Sequence, residues 1–223
     1  MGVPTVGPIP PVARGLFGSR SDRVVRYVEL LATDGVTRGL IGPREVPRLW
    51  ERHILNCAAL VELLEPGATV VDVGSGAGLP GVVLALARPD LTVALVESLA
   101  RRTQFLTECR AELRLERVTV HRGRAEDRDM VAAVGDADAV ISRAVAPLDR
   151  LAAWSLPLLR RGGRMLAVKG AGAEAEVATH ADAVIRLGGS RIEVRRCGVG
   201  MVDPPATVVV VCRAGSPGGR GDR

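Results

Sequence analysis

Lysine is almost missing from this chain: Lys169 is the only one among 30 basic residues. Aromatic residues are only 2% of the sequence, which argues against a reader that stacks RNA bases on a sheet of Phe and Tyr. The four cysteines (Cys57, Cys109, Cys197, Cys212) form no CxxC pair and the three histidines are scattered, so metal-ligand spacings are absent and no metal is expected. Buried free thiols in a reducing compartment fit better. No stretch approaches 18 uninterrupted apolar residues, so no membrane span is expected. The opening residues MGVPTVGPIPPVARG are too rich in Pro and Gly for a signal peptide. Cytoplasm is the expected compartment, and a monomer the expected state.

What is present is an ordinary globular composition, 47% hydrophobic and 25% charged over 223 residues. A chain of this length buries enough surface to fold without disulfide or metal. The net charge of +5 points weakly to a polyanion. Arg14 and Arg20 lie in an acid-free opening, and Arg220 and Arg223 flank Asp222 in the tail. The body itself therefore carries only about +2, common among enzymes of small substrates.

Composition divides the chain into a flexible arm (1–20), a helical extension (21–67), a main domain (68–213) and a flexible tail (214–223). The Arg220-Gly221-Asp222 triplet in that tail reads as a chance match to an adhesion signal. Val24, Tyr27, Val28 and Leu31 recur at helical spacing behind Ser21 and Asp22, which are suited to capping. A second helix starts near Pro43 or Pro47 and carries Val46, Trp50, Cys57, Leu60, Val61 and Leu64, ending at Glu65-Pro66-Gly67.

From residue 68 short apolar runs alternate with helical stretches. Strands are expected at 68–73, 91–96, 118–121, 137–142, 163–168, 191–196 and 207–212. Helices are expected at 79–87, 99–115 (capped by Ser98), around 129–134, at 147–159 and at 172–180. The alternation predicts an α/β, Rossmann-like, seven-stranded and mostly parallel sheet with helices on both faces.

The strongest local signal is Val70-Val71-Asp72-Val73-Gly74-Ser75-Gly76-Ala77-Gly78, an apolar strand running into three alternate glycines. Such a turn lets a ligand approach the backbone at the carboxyl ends of the strands. Leu79 stands where the dinucleotide fingerprint requires its last glycine, and the P-loop Gly-Lys-Ser/Thr is missing. An acid, Asp72, sits two residues before the first glycine, an arrangement methyltransferases show. Glu97 ends the next strand 23 residues after Gly74, near the offset of an acid that binds ribose hydroxyls. Glu126 and Asp127 follow the third strand, where adenine is met.

These segments make the chain resemble a known family, the small-subunit ribosomal RNA guanine-N7 methyltransferases called RsmG or GidB. Five ordered segments carry the resemblance: Arg52-His53-Ile54-Leu55-Asn56; Asp72 to Gly81; Glu97-Ser98-Leu99 with Arg101-Arg102; Ile141-Ser142-Arg143-Ala144; and Val168-Lys169-Gly170. The Gly78-Leu79-Pro80-Gly81 extension and the Ser142-Arg143-Ala144 triplet are the specific parts. The resemblance implies a class I S-adenosylmethionine-dependent methyltransferase whose partner is 16S rRNA of the small ribosomal subunit. It further implies that Gly74, Leu79, Ala125, Glu126 and Arg143 contact S-adenosylmethionine. Asp72, Gly76, Gly78 and Glu97 join that set on the placement argued above. The sequence departs from the family at Asp34-Gly35, at Gly39-Leu40-Ile41 and at Asn56.

No Ser/His/Asp or Cys/His catalytic set is visible, as expected for a nucleophile that carries a free lone pair. Arg143 suits the cofactor's carboxylate, with a surface ion pair as the alternative. Lys169 suits an RNA phosphate. Arg52 and His53 are further candidates for positioning substrate, although His53 also falls on the apolar stripe as a core histidine would. The arginines at 101–102, 122–128 and 160–164 are candidate phosphate contacts. Two other readings stay open at this stage: a methyltransferase of a small molecule or protein, and a non-catalytic RNA-binding module.

Overall fold

The computed structural model describes residues 6–143 and 145–215. The chain forms a seven-stranded sheet in the order β3-β2-β1-β4-β5-β7-β6. Its strands are β1 (Thr69–Val73), β2 (Thr92–Glu97), β3 (Val118–Arg122), β4 (Ala137–Arg143), β5 (Leu159–Lys169), β6 (Gly189–Cys197) and β7 (Ala206–Arg213). The first five run parallel, and β7 runs antiparallel to both its neighbours. The crossover after β5 leaves one position open, and the β6–β7 hairpin returns to fill it.

Burial explains the strand order. β1, β2, β4 and β7 are almost wholly buried, as Val-rich strands covered on both faces must be. The edge strands β3 and β6 contain exposed positions and carry arginines that blunt an open edge. Helices α4 (Gly81–Ala87), α5 (Ala100–Glu112), α6 (Arg128–Val134), α7 (Leu148–Ser155) and α8 (Ala173–Arg186) supply the crossovers. The strand and helix order matches the sequence expectation, with ends moved by a few residues.

The N-terminal region differs more. Residues 11–17, expected to belong to a flexible arm, form helix α1 (Pro11–Phe17) with Ala13 and Phe17 buried. Pro11 enters the first turn, where its missing N–H costs nothing. α2 (Ser21–Leu30) continues as a π turn through Gly35. Ser21 does not cap it; its hydroxyl donates to the Gly18 carbonyl instead. Ser98 likewise makes no cap bond at the start of α5.

The expected second helix is one continuous but irregular run. It begins with a 3-10 stretch (Pro43–Arg48) and passes through π turns (Leu49–Leu55) and a single α turn, α3 (Asn56–Ala58). A 3-10 stretch (Ala59–Leu63) closes it. Together the N-terminal helices form a cap over α4, all seven of whose residues are buried. Phe17, Tyr27, Leu49, Ile54 and Leu60 of the cap share one continuous core with Val82, Leu84, Leu95 and Phe105. A second core lies on the other face of the sheet, under α6, α7 and α8. The tail beyond residue 215, with the Arg220-Gly221-Asp222 triplet, lies outside the described residues, as does Ala144.

Candidate active site

β1 ends at Val73, and the chain turns sharply through Gly74, Gly76 and Gly78, all at positive φ. The amides of Gly74 and Ser75 both donate to the Val96 carbonyl, 2.9 and 3.1 Å away, tying the turn to β2. A Cβ on Gly74 would stand 3.0 Å from Val145, and one on Gly78 would stand 2.5 Å from Val82 and 2.8 Å from the Tyr27 hydroxyl. Glycine at Gly78 is therefore required by space as well as by φ, and at Gly74 chiefly by φ. The Tyr27 hydroxyl donates to the Ala77 carbonyl at 2.7 Å, so the cap holds the turn from behind.

Two buried carboxylates shape this turn. Asp72 lies beneath it, fully buried, with Oδ2 accepting the Gly81 amide at 3.0 Å and Oδ1 left without a partner. Burial pushes its carboxyl up to about 7. Glu97, only 3% exposed, accepts the Gly76 amide at 3.0 Å and the Leu99 amide at 2.9 Å, with Arg102 3.5 Å away. Two oriented amides and a cation surround this acid, a setting suited to a group that accepts hydroxyl bonds.

Glu97 lines a cavity of about 220 Å³ together with Gly74, Ala125, Glu126, Val145 and Trp154. Its walls combine the acids Glu97 and Glu126 with Ser98, Arg124 and a set of apolar and aromatic groups, Val73, Val96, Ala125, Val145 and Trp154. That donor set fits a nucleoside: hydroxyls toward Glu97, a flat ring between apolar walls. Gly74, Glu97, Ala125 and Glu126 thus meet in one place. Asp72, Gly76, Gly78 and Leu79 belong to the turn's framework and do not line the cavity.

The second half of the edge is a cleft of about 620 Å³, lined by Arg48, Arg52, Asn56, Arg143, Lys169 and Arg196 among others. Arg143, at the end of β4, reaches across to the cap. It donates to Cys57 Sγ at 3.0 Å, to His53 Nδ1 at 3.0 Å and to the Arg52 carbonyl at 3.3 Å. Three of its five N–H groups are used, leaving two for a ligand. Since Nδ1 accepts from Arg143, Nε2 of His53 carries the proton and donates to Glu45 at 2.8 Å. Burial, reinforced by the Arg143 charge, lowers the His53 pKa, so the ring is neutral at pH 7. Its bond to His53 in turn lowers the Glu45 pKa. His53 is thus the hydrogen-bonded, half-buried histidine that its apolar stripe suggested.

Lys169 lies in the cleft wall with its ammonium largely committed. It donates to Glu176 at 2.7 Å and to the Ala146 carbonyl at 2.9 Å, while the same Glu176 oxygen accepts the Leu148 amide at 2.8 Å. Its first role is to fasten the segment after β4 to α8. Sequence reasoning missed Tyr27, Glu45, Cys57, Val145 and Trp154. Only Tyr27 carried a usable signal, as the sole tyrosine on an apolar helical stripe.

Among the described residues, no group of three or more His, Cys, Asp or Glu side chains could hold a metal ion. None of the described helices is long and apolar enough to cross a membrane.

Solved structures of similar fold include a S-adenosylmethionine-dependent O-methyltransferase from Thermotoga maritima, at TM-score 0.55 and 22% identity, covering 78% of this chain and 72% of that one. Aeropyrum pernix fibrillarin with natively bound S-adenosyl-L-methionine superposes at TM-score 0.52 and 18% identity, over 70% and 76% of the two chains. These likenesses establish the class I methyltransferase fold. In sequence the chain is 62% identical to ribosomal RNA small subunit methyltransferase G of Salinispora arenicola, across 90% of this chain and 85% of that protein. It is 56% identical to the protein of the same name from Mycolicibacterium gilvum, across 95% and 93%. Residues 20–201 match the GidB model, rRNA small subunit methyltransferase G. With its glycine turn, Glu97 and capping helices in place, the chain belongs to the rRNA small subunit methyltransferase G family.

Proposed function

We propose that this protein transfers the methyl group of S-adenosylmethionine to N7 of a guanine in 16S rRNA of the small ribosomal subunit. The observation that carries this reading is the pairing of two compartments along one sheet edge, a nucleoside-sized cavity beside Glu97 and a wider arginine-lined cleft. Gly74, Glu97, Ala125 and Glu126 hold the nucleoside, on the turn framed by Asp72, Gly76, Gly78 and Leu79. Arg143 offers its two remaining N–H groups to the cofactor's carboxylate. Arg52 and Lys169 face the RNA side of the cleft, while His53 positions Arg143.

When bound, S-adenosylmethionine supplies an electrophilic methyl group on a sulfonium. Guanine N7 presents a lone pair at neutral pH, so no side chain has to remove a proton. That fits a site whose one nearby histidine is engaged by Glu45 and Arg143. The residues contribute orientation instead, which in favourable cases is worth about 7–11 kcal/mol.

Residues 21–67 serve as a cap on the catalytic domain (68–213). We place the enzyme in the cytoplasm with its RNA substrate, working as a monomer. Its exposed large apolar side chains (Val12, Leu99, Val145, Ile185, Leu187, Val199) are spread over several elements.

The test is transfer of labelled methyl to small subunits lacking the modification, followed by digestion. 7-Methylguanosine in 16S rRNA is the expected product. Label on another base atom overturns the regiochemistry, and label on protein or no label overturns the reading.

A further inference from the structure

The amino-terminal edge of the sheet, opposite the glycine turn, carries a second basic concavity of about 250 Å³. Arg20 and Arg23 reach it from the start of α2, and Arg114 and Arg117 from the α5–β3 connection. Leu91 and Val118, at the amino ends of β2 and β3, form part of its floor. Strands of five or six residues separate this edge from the candidate active site by roughly 17–20 Å.

In the active-site cleft Arg52 pairs with Glu45, Arg196 with Glu174 and Lys169 with Glu176, while Arg143 is held by neutral acceptors. Among the described residues none of Arg20, Arg23, Arg114 and Arg117 has a carboxylate within ion-pair distance. Arg20 donates to the Leu86 and Ala87 carbonyls, Arg23 to the Arg114 carbonyl and Arg117 to the Thr92 hydroxyl. The guanidinia of Arg20, Arg23 and Arg117 are thus steadied by neutral acceptors while their charge stays uncompensated. Glu116 on the rim is the sole acid lining the cavity. Arg114 also sits at φ +50 just past the end of α5, where glycine is the usual residue. The chain keeps an arginine side chain at a position whose backbone favours none.

We propose that this concavity is a second RNA-backbone site, in which Arg23 and Arg117 contact phosphates of the substrate rRNA away from the methylated base. The inference rests on the rRNA reading above and adds to it a contact surface on the opposite edge. An arginine fork with no acid partner suits a phosphate oxygen, and a folded rRNA offers phosphates well beyond one nucleotide. Because the site is remote from the chemistry, it acts on RNA affinity and leaves turnover alone.

The experiment compares wild type, Arg23→Gln/Arg117→Gln and a charge-matched control, Arg186→Gln/Arg191→Gln, on unmodified small subunits and on naked 16S rRNA. The first variant is expected to raise the RNA KM about tenfold on both substrates, with kcat and S-adenosylmethionine affinity within twofold of wild type. Its dependence of log affinity on log salt should flatten by about 1.5, the loss of two phosphate contacts. Arg23→Lys/Arg117→Lys keeps the charge and should recover most of the affinity, which separates a contact from a folding defect. An unchanged RNA KM and salt slope overturns the proposal. So does an equal loss in the control, which would reflect only net charge, or a loss confined to intact subunits, which would point to a ribosomal protein. Absence of methyl transfer by the wild type would instead sink the rRNA reading itself.

Discussion

Around the glycine turn, most of the bonds that shape the site join residues close together in the chain or on neighbouring strands: Ser75 to Asp72, Gly81 to Asp72, Gly76 to Glu97 and Leu99 to Glu97. Around Arg143 they span about ninety residues, from the end of β4 to Arg52, His53 and Cys57 in the cap. The first half is set by backbone geometry and two buried acids. The second depends on side chains that meet only after the cap has docked. The turn beside Glu97 is therefore fixed by local backbone bonds, and the cleft around Arg143 by contacts that need the cap in place.

The largest effect expected from breaking this contrast comes from Gly78→Ala. The added methyl has to displace Val82 and the Tyr27 hydroxyl at a position already at φ +94. Denaturant unfolding should show a loss of about 3 kcal/mol or more, together with loss of S-adenosylmethionine binding. An unmoved unfolding midpoint would mean the turn is softer than its packing suggests. Glu97→Ala comes next. Calorimetry should show cofactor affinity falling by about 1.5–3 kcal/mol, as for lost bonds to a charged acceptor. An unaltered dissociation constant would remove Glu97 from the ribose.

In the other half, Lys169→Ala leaves Glu176 without its cation and the Ala146 carbonyl without its donor. The pair is partly exposed, so about 1–2 kcal/mol of stability should be lost in a urea melt, less than for a fully buried pair. Cofactor affinity should stay within twofold while the RNA KM rises; the reverse pattern would place Lys169 with the cofactor.

The smallest effect concerns pH. His53 has a folded pKa below its unfolded value, so the unfolded chain binds more protons as pH falls through the region near 6.5. Wild type should therefore lose up to about 1 kcal/mol of stability between pH 7.5 and 5.5 relative to His53→Ala. Parallel stability curves for the two proteins would show that burial in the cap, with Arg143 beside it, does not hold the ring neutral.

The sequence revealed what is periodic and local. Runs such as Val70–Val73 and Val93–Val96, each followed by a helix, placed the strands, and the glycine spacing with Glu97 pointed to the turn where a cavity is found. Asp72 was expected among the cofactor's contacts, but its carboxylate turns inward to Gly81, a choice that spacing alone does not encode. The cap was harder to read. Its 3-10 and π turns keep no 3.6-residue period, and Pro47 sits inside the run. α1 was hidden by the Pro- and Gly-rich composition around it, although Phe17 finds a fully buried seat. The Arg143–His53–Glu45 chain was out of reach because nothing local in the sequence signals a contact across ninety residues.

Trp154 stands in the wall of the cavity beside Glu97, while Trp50 donates to the Gly7 carbonyl in the cap, and the chain has no other tryptophan. The protein thus carries its own optical gauge. Filling the pocket alters the surroundings of one indole and leaves the other as an internal reference, so occupancy is readable by intrinsic fluorescence without a label.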